Sequence, residues 1–431
     1  MATAGRYLGS AVLLVALGLS PALGYATTFV LLGLAAVATI VLVVAPSTAF
    51  GGPPPPSSTG EDQGTAGAHV TEARSLRDPP PYAREGDQRS WWRGRPSAPT
   101  LLFALAYLLI TLSALATLRT PTDLLPLLGL AAPLFYAPLA RLIGGANLTR
   151  YAIPGAIVGL ATALAYRYGL DMPRAAEGFW LTDPTRLAVT TLLAATLGLG
   201  ALFTQHRWRW LSLLALAGAI IVIALTGSRT ALLGLPVLLL VTGLCLAHRP
   251  VTRTAIVAVT VAVAFAALFI ELPGTERMRL WDVLAAIAAG SPVPDPAVDI
   301  RLGLGRAAAQ LFAAAPLFGH GWSEAAMPQV LALLTPGQLS WGRIPHLHND
   351  VAQFAVSGGL LGLAAWLLLL AAPIAGYLHL PREARSPQRL HALLVLIIGA
   401  IVLGIPDTFL VAPMTLTIYV VLAAAIAGRR A

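Results

Sequence analysis

His346 and His348 stand beside Asn349 and Asp350, in a run that reads Pro-His-Leu-His-Asn-Asp. A neutral histidine can take a proton from a hydroxyl group near pH 7, and a neighbouring amide or carboxylate can fix its tautomer. The alternative interpretation is a helix N-terminus capped by Asn349 or Asp350, with both histidines facing water. Two histidines at this spacing also suggest a metal, but no third histidine or cysteine is suitably spaced, so we expect no structural zinc.

An arginine in a short polar segment offers a second kind of chemistry. Arg229 ends the motif Gly-Ser-Arg, which begins at Gly227 between two long apolar stretches. A guanidinium group presents a rigid fork of donors that suits a phosphate or diphosphate bidentately. The alternative interpretation is an arginine that anchors a helix end in the lipid headgroup layer. Arg229 is therefore a candidate for binding an anionic ligand.

A third group of residues lies between these two motifs. Arg301 and Arg306 are more than one helical turn apart, so they need not share a face. Gly319 and Gly321 belong to a Pro-x-x-Gly-x-Gly motif and permit a tight backbone turn close to a ligand. The alternatives are a solvated face for the arginines and a plain turn for the glycines. Both arginines are candidates for substrate binding.

The elements that must position these residues are membrane helices. Hydrophobic residues make up 57% of the 431 positions and charged residues 11%, whereas soluble domains average about 25% charged residues. Apolar runs of about 20 residues, enough to cross a bilayer, recur along the chain. They predict an all-α polytopic membrane protein with about twelve transmembrane helices, at 7–24, 26–45, 100–118, 124–142, 150–167, 186–204, 209–227, 230–247, 254–271, 351–373, 390–406 and 411–428.

The distribution of arginine orients these helices. The cluster from Arg74 to Arg95 and the basic C-terminal tail fall on one side, which the positive-inside preference assigns to the cytoplasm. Both termini are then cytoplasmic. The long loop 272–350 lies outside, and Arg229 lies in a tight outer turn, where arginine is uncommon.

Two loops differ in composition from the rest of the chain. Residues 46–99 are rich in proline, glycine, serine and charge, which predicts a disordered cytoplasmic linker. Residues 272–350 contain apolar segments of their own and predict a small helical unit that carries site residues. The remaining parts are the first two transmembrane helices (1–45), a transmembrane bundle (100–271) and the C-terminal transmembrane helices (351–431).

Several classes of function are disfavoured by the sequence. The net charge of +9 reflects topology in a membrane protein, so we expect no nucleic-acid partner. No carboxylate falls in the middle of a predicted span, whereas ion-coupled transporters usually keep ionisable groups there. The chain has no Walker or dinucleotide-binding motif and no acidic pair suited to a divalent metal, so we expect neither a cofactor nor a metal.

The motifs also occur in a recognisable order. Gly-Ser-Arg lies between two spans, Arg301 and Pro-x-x-Gly-x-Gly lie in the long outer loop, and His-x-His-Asn-Asp precedes a helix with Gly-x-x-Gly. From residue 226 onward this set resembles the O-antigen ligase superfamily. That superfamily includes lipopolysaccharide O-antigen ligases, O-antigen polymerases and protein O-oligosaccharyltransferases. The resemblance implies the fold of a C-type membrane glycosyltransferase in a bacterial inner membrane, with its active site facing the periplasm.

The resemblance also implies roles for individual residues. Arg229 and Arg301 would bind the undecaprenyl diphosphate of the donor, and His348 would be the base, with His346 beside it. Asp407, at the outer end of the eleventh predicted span, resembles an acidic position in the ligases.

The implied reaction is an inverting glycosyl transfer. An undecaprenyl-diphosphate-linked O-antigen glycan would be the donor and a lipid A-core molecule the acceptor, with the lipid tail held among membrane lipids and no nucleotide required. An O-antigen polymerase would use the same donor with another acceptor. A polyprenyl-lipid or polysaccharide transporter is the alternative from another class, in which the arginines guide a diphosphate and the histidines are helix caps.

Overall fold

The computed structural model describes residues 2–44, 96–172, 174–176, 182–203, 208–247, 280–291, 293–322, 325–340 and 344–428, with a few positions between 251 and 261. Within these ranges the chain is helical and contains no strand, so the predicted all-α fold is confirmed. The predicted linker 46–99 lies outside the described residues up to position 95. Most of the predicted span 254–271 lies outside them as well.

The helices of the described residues are numbered here in chain order. They are α1 (Ala2–Leu13, continued by a π-helical Leu14–Leu19 and Ser20–Leu23), α2 (Ala26–Val44), α3 (Ala98–Ala116), α4 (Pro121–Gly129 with Ala132–Ile143), α5 (Thr149–Leu164, continued by a π-helical Ala165–Gly169), α6 (Pro184–Phe203), α7 (Arg209–Thr226), α8 (Arg229–Leu246), α9 (Leu280–Ala289), α10 (Pro296–Ala314), α11 (Met327–Leu331), α12 (Pro336–Leu339), α13 (Asp350–Leu378), α14 (Pro387–Gly404) and α15 (Pro413–Ala427).

Six of these helices are long and apolar enough to cross a membrane, namely α3, α6, α7, α8, α13 and α14. Their length and composition indicate a membrane protein. Helix α4 would be a seventh span, but it is bent by 46° at its break. Pro133 follows that break, and proline has no N–H with which to continue the helical hydrogen bonds. The number of twelve spans remains a prediction.

The centre of the bundle is formed by two helices that are buried on all sides. In α15 every residue from Met414 to Ala427 is buried, and 89% of the apolar window of α6 is buried inside the protein. A helix that is apolar around its whole circumference belongs in the interior. Helix α6 packs against α5, α7 and α8, whereas α13 packs along α3. This packing fixes the ends of the helices that carry the candidate residues.

A second, smaller hydrophobic cluster lies within the 272–350 segment. It joins α10 and α11 to the loop before α13 and to the first turns of α13. Its members include Ile300, Leu304, Ala307, Leu311, Met327, Val330, Leu334, Ile344, Leu347 and Val356. The segment therefore has a small core of its own, which is continuous with the start of α13.

Helix α13 is broken at Gly359, where φ is +60° and ψ is −143°. The Pro-x-x-Gly-x-Gly segment lies in this break. Its backbone groups pair with backbone N–H and C=O groups of α13 that would bond to each other in a continuous helix. The four backbone hydrogen bonds are His320 N to Val356 O (2.8 Å), Gly321 N to Ser357 O (3.1 Å), Leu360 N to Pro316 O (2.7 Å) and Leu361 N to Leu317 O (3.4 Å).

Glycine is required on both sides of this contact. A Cβ atom at Gly319 would lie 2.5 Å from the carbonyl oxygen of Val356, and one at Gly359 would lie 2.5 Å from the carbonyl carbon of Leu317. Both glycines also have positive φ, which side chains rarely adopt. We expected the turn at Gly319 and Gly321 to lie close to a ligand, but it contacts helix α13 instead. This contact anchors the 272–350 segment to the bundle.

Candidate functional site

The two histidines face the same side of the loop that leads into α13. Leu347 between them is 2% exposed and packs in the small hydrophobic cluster. The rings of His346 and His348 lie against each other with centroids 4.2 Å apart. Asn349 caps α13 by accepting the backbone N–H of Ala352 at 2.9 Å. The capping interpretation is therefore correct for Asn349, but the histidines do not simply face water.

The backbone of His348 is held in an unusual conformation. Its φ is +50°, in the left-handed region, where a residue other than glycine is strained by about 1–3 kcal/mol. Its backbone N–H donates to Nδ1 of His346 at 3.3 Å. Its own Nδ1 lies 3.3 Å from Oδ1 of Asp407. The strained conformation thus presents the His348 ring to a carboxylate from a distant part of the chain.

Asp350 holds the loop that contains Asp407 close to His348. Its buried side chain accepts the backbone N–H groups of Phe409 (2.9 Å), Leu410 (2.8 Å) and Val411 (3.2 Å). These three bonds hold the loop between α14 and α15 against the N-terminus of α13. Asp350 does not cap its own helix, as one sequence interpretation expected, but fixes the neighbouring loop that contains Asp407.

Asp407 is an ionised acceptor in this arrangement. Burial by itself would raise the pKa of Asp407, but the Arg186 guanidinium and the hydrogen bond with His348 outweigh it and hold that pKa well below its usual range. An ionised Asp407 can only accept, so in a neutral His348 ring Nδ1 carries the proton and Nε2 is the unprotonated nitrogen. This is the arrangement that a general base requires.

His346 supports His348 as a neutral neighbour. Burial, with a further contribution from His348, lowers the pKa of His346 to about 3. His346 is therefore uncharged near pH 7, and its Nδ1 is free to accept the backbone N–H of His348. This contact helps to maintain the left-handed backbone at His348.

Arg229 is placed by the local chemistry of the Gly-Ser-Arg motif. Gly227 ends α7 in the left-handed conformation, and Ser228 begins α8 by accepting the backbone N–H of Ala231 at 3.4 Å. Arg229 is then the first residue of α8. Its Nη2 pairs at 2.6 Å with Asp295, the capping residue of α10, so the guanidinium group is oriented from two helices.

Arg301 lies in the second turn of α10 and reaches towards the same loop as Asp407. Its Nη1 donates to the carbonyl of Ala297 at 2.7 Å, and its Nε donates to the carbonyl of Pro406 at 3.2 Å. Burial lowers the pKa of Arg301, and the charges of Asp407 and Arg229 act on it as well. Arg229, Arg301, His348 and Asp407 therefore belong to one site.

Arg306 is placed differently from the other candidates. It is exposed, and it lies about 140° around α10 from Arg301 at 100° per residue. Within the described residues the structure shows no hydrogen bond or ion pair for Arg306. Of the six candidates, the structure brings together His346, His348, Asp407, Arg229 and Arg301.

Sequence reasoning missed a buried arginine at this site. Arg186, in the first turn of α6, is 4% exposed and donates from Nη1 to the carbonyl of Thr408 and from Nη2 to the Thr408 hydroxyl at 2.7 Å. The signal available in the sequence was an arginine at the edge of the predicted span 186–204, which is also the usual place for an interfacial anchor.

The site also contains a possible ligand set for a metal ion. The ligand atoms of His346, His348 and Asp407 lie within 4.8 Å of one another, so Asp407 supplies the third ligand that the sequence did not reveal. The charges of Arg186 and Arg301 act on this cluster and oppose a cation. The surrounding charge favours an anion, and we interpret the three side chains as an acid–base group.

Comparison with known proteins identifies a family for part of the chain. Residues 213–367 match the family model described as O-Antigen ligase, which confirms the resemblance to that superfamily over this segment. The match extends from α7 into α13, so it includes Arg229, Arg301 and His348, but neither Arg186 nor Asp407. No curated protein matches this chain.

Proposed function

We propose, from the match of residues 213–367 to the O-antigen ligase family, that this protein is an O-antigen ligase-type membrane glycosyltransferase. It transfers an undecaprenyl-diphosphate-linked glycan to a lipid A-core acceptor. The observation that carries the proposal is the pairing of His348 with Asp407 beside two arginines, Arg229 and Arg301. The site faces the periplasm, and both termini are cytoplasmic.

The chemical step uses His348 as the base. Nε2 of His348 takes the proton of the acceptor hydroxyl while the hydroxyl oxygen attacks the anomeric carbon of the donor sugar. The bond from that carbon to the diphosphate oxygen breaks, so the anomeric configuration is inverted. Asp407 stabilises the imidazolium that forms, and the proton passes from His348 to solvent after the products separate.

The arginines stabilise the leaving group. The departing polyprenyl diphosphate gains negative charge, and donors aimed at developing charge are effective in a site that excludes water. Arg229 and Arg301 are oriented by Asp295 and by the carbonyls of Ala297 and Pro406. Because a guanidinium group has five N–H donors, both retain donors for phosphate oxygens. The diphosphate is already an activated leaving group, so the reaction needs no nucleotide.

The same pair of residues favours an enzyme over a transporter. A transporter needs groups that bind a diphosphate, but it has no use for a histidine whose Nδ1 is held by a buried carboxylate. The strained backbone of His348 points the same way, since such conformations cluster at functional sites.

Replacement of His348 tests the proposal. In proteoliposomes that contain the lipid-linked donor and a lipid A-core acceptor, His348→Ala should lower turnover by about 10²-fold or more. Donor binding should stay within about twofold, because the arginines hold the diphosphate. The matched control is His379→Ala, an exposed histidine at the other end of α13, which should transfer glycan normally.

The outcomes separate the alternatives. Full turnover in His348→Ala would refute the role of His348 as the base. Elongation of the donor glycan without use of the lipid A-core acceptor would identify a polymerase with the same donor. Movement of the donor across the bilayer without any transfer would identify a transporter.

A further inference from the structure

The loop that contains Asp407 is held in place by charged residues from three different helices. Arg301 of α10 donates to the carbonyl of Pro406, and Asp350 of α13 accepts three N–H groups that follow Thr408. Arg186 of α6 donates to both the carbonyl and the hydroxyl of Thr408. Arg186 therefore contacts the residue directly after Asp407, from a part of the chain that the family match does not cover.

We propose that Arg186 is a positioning residue that holds Asp407 against His348 and keeps its carboxylate ionised. The consequence for catalysis rests on the function proposed above, but the effect on the His348–Asp407 pair does not. The N-terminal half of the chain thereby contributes to a site in which Arg229, Arg301, His348 and Asp407 come from the C-terminal half.

The contacts of Thr408 show how this positioning works. The backbone N–H of Thr408 donates to Oδ1 of Asp407 at 2.8 Å, the same oxygen that lies 3.3 Å from His348. Fixing the carbonyl and the hydroxyl of Thr408 therefore fixes the direction of its N–H and, with it, the orientation of the Asp407 carboxylate. A lysine at position 186 would keep the charge but could not reproduce the planar fork that bonds to both oxygens.

Arg186 is itself supported from the N-terminal helices. Asp183 accepts the backbone N–H of Arg186 at 2.8 Å and lies 3.9 Å from its Nε. The hydroxyl of Tyr25, between α1 and α2, donates to Asp183 at 2.6 Å. Burial and the Asp183 charge raise the pKa of Tyr25 to about 12, so it remains a donor near neutral pH. A buried guanidinium group requires such partners, because desolvation of an unpaired charge is strongly unfavourable.

Charge and geometry predict different results for two variants. In the part of the chain that the structure describes, the charged and titratable groups around the His348–Asp407 pair are His346, Arg301, Asp350 and Arg186. Removing the positive charge in Arg186→Gln should let the pair take up a proton at a higher pH, since a neighbouring cation opposes protonation. Arg186→Lys keeps the charge, so this pH should stay the same.

Carbethoxylation of His348 by diethyl pyrocarbonate, followed by peptide mass spectrometry, measures protonation of the pair without reference to activity. The reagent attacks neutral imidazole, so its rate against pH gives the midpoint directly. We expect the midpoint to rise in Arg186→Gln only. An unchanged midpoint in folded Arg186→Gln would overturn the proposal, whether or not the protein transfers glycan.

Arg186→Lys supplies the second test if Arg186→Gln does not fold. Because the Asp407 loop is less firmly held, the plateau rate of carbethoxylation above the midpoint should rise at least about twofold. In the transfer assay kcat should fall about tenfold or more with KM within about twofold, because His348 loses its orientation while the diphosphate contacts remain. An unchanged plateau rate in Arg186→Lys would overturn the proposal. Absence of glycan transfer by the wild type would instead refute the proposed function. The carbethoxylation rates would still decide whether Arg186 positions Asp407, because they do not depend on transfer.

Discussion

At the scale of single residues, neighbouring side chains of the candidate site have different roles: some are placed to act on a ligand, and others support the structure. His348 is strained and faces a carboxylate, whereas Asn349 and Asp350, directly after it, make ordinary structural hydrogen bonds. The run His-Asn-Asp therefore combines one candidate base, one helix cap and one loop anchor. The arginines show the same division, because Arg186 contacts the protein at Thr408 while Arg229 and Arg301 retain donors for a ligand.

Substitutions at Arg229 distinguish a ligand-binding arginine from an interfacial anchor. Arg229→Lys should lower the initial rate of glycan transfer by about tenfold or more, because an ammonium group cannot grip a diphosphate bidentately. Arg229→Ala should be at least as poor. Arg382→Lys, at an exposed arginine in the loop before α14, is the matched control and should be near wild type. Near-normal rates in both Arg229 variants would make Arg229 an anchor only.

At the scale of elements, the broken helix α13 is the joint between the 272–350 segment and the bundle. Backbone hydrogen bonds cross the break in both directions, so the segment cannot shift along α13 without losing them. The His346–Asp350 run lies at the N-terminus of the same helix. The break therefore positions α10, which carries Arg301, relative to the histidines.

Two glycine substitutions test this joint. Gly359→Ala should destabilise the protein by at least about 2 kcal/mol, because the new methyl group meets the backbone of Leu317 at a positive φ. Gly290→Ala is the control: its φ of +63° is similar to the +60° of Gly359, but nothing lies within 4 Å of the added Cβ. It should cost only about 1 kcal/mol. The measurement is the midpoint of thermal unfolding in one detergent. Equal midpoints for the two variants would show that the close contact does not matter.

At the scale of the whole molecule, the site is assembled from helix ends that meet at one end of the bundle. The first turns of α6, α8 and α13, the second turn of α10 and the loop after α14 each contribute a charged residue. Helix ends can carry charge where a bilayer interior cannot, which explains how an 11% charged chain concentrates so many ionised groups in one place.

Cysteine labelling tests which side of the membrane this end faces. With Cys245 replaced by alanine, Ser291→Cys should react with a membrane-impermeant maleimide in cells whose outer membrane alone is permeabilised. Glu383→Cys, in the exposed loop between α13 and α14, should react only after lysis. The expectation follows from the arginine asymmetry. The reverse pattern would invert the topology and place the site in the cytoplasm.

The sequence by itself determined the helical membrane class and the order of the motifs, and it supplied most residues of the candidate site. The length of an apolar run and the residues of a tight turn are local properties of the sequence. Helices α7 and α8 and the turn at Gly227 and Ser228 between them could therefore be predicted from it. The helix Leu280–Ala289 coincides with an apolar segment of the predicted outer loop. The histidines, Arg229 and Arg301 were identified by residue type and order.

Only the tertiary structure decided which of these residues meet and what each one does. It placed Asp407 against His348 across 59 residues and Arg186 against Thr408 across 222. It placed Arg306 on a different face of α10 from Arg301. It also showed that the Gly-x-Gly turn packs against the break in α13. It also left α4 bent where an uninterrupted span was expected. The physical reason is that these contacts depend on how helix ends pack, and packing is set by side chains distributed over the whole chain rather than by any local pattern.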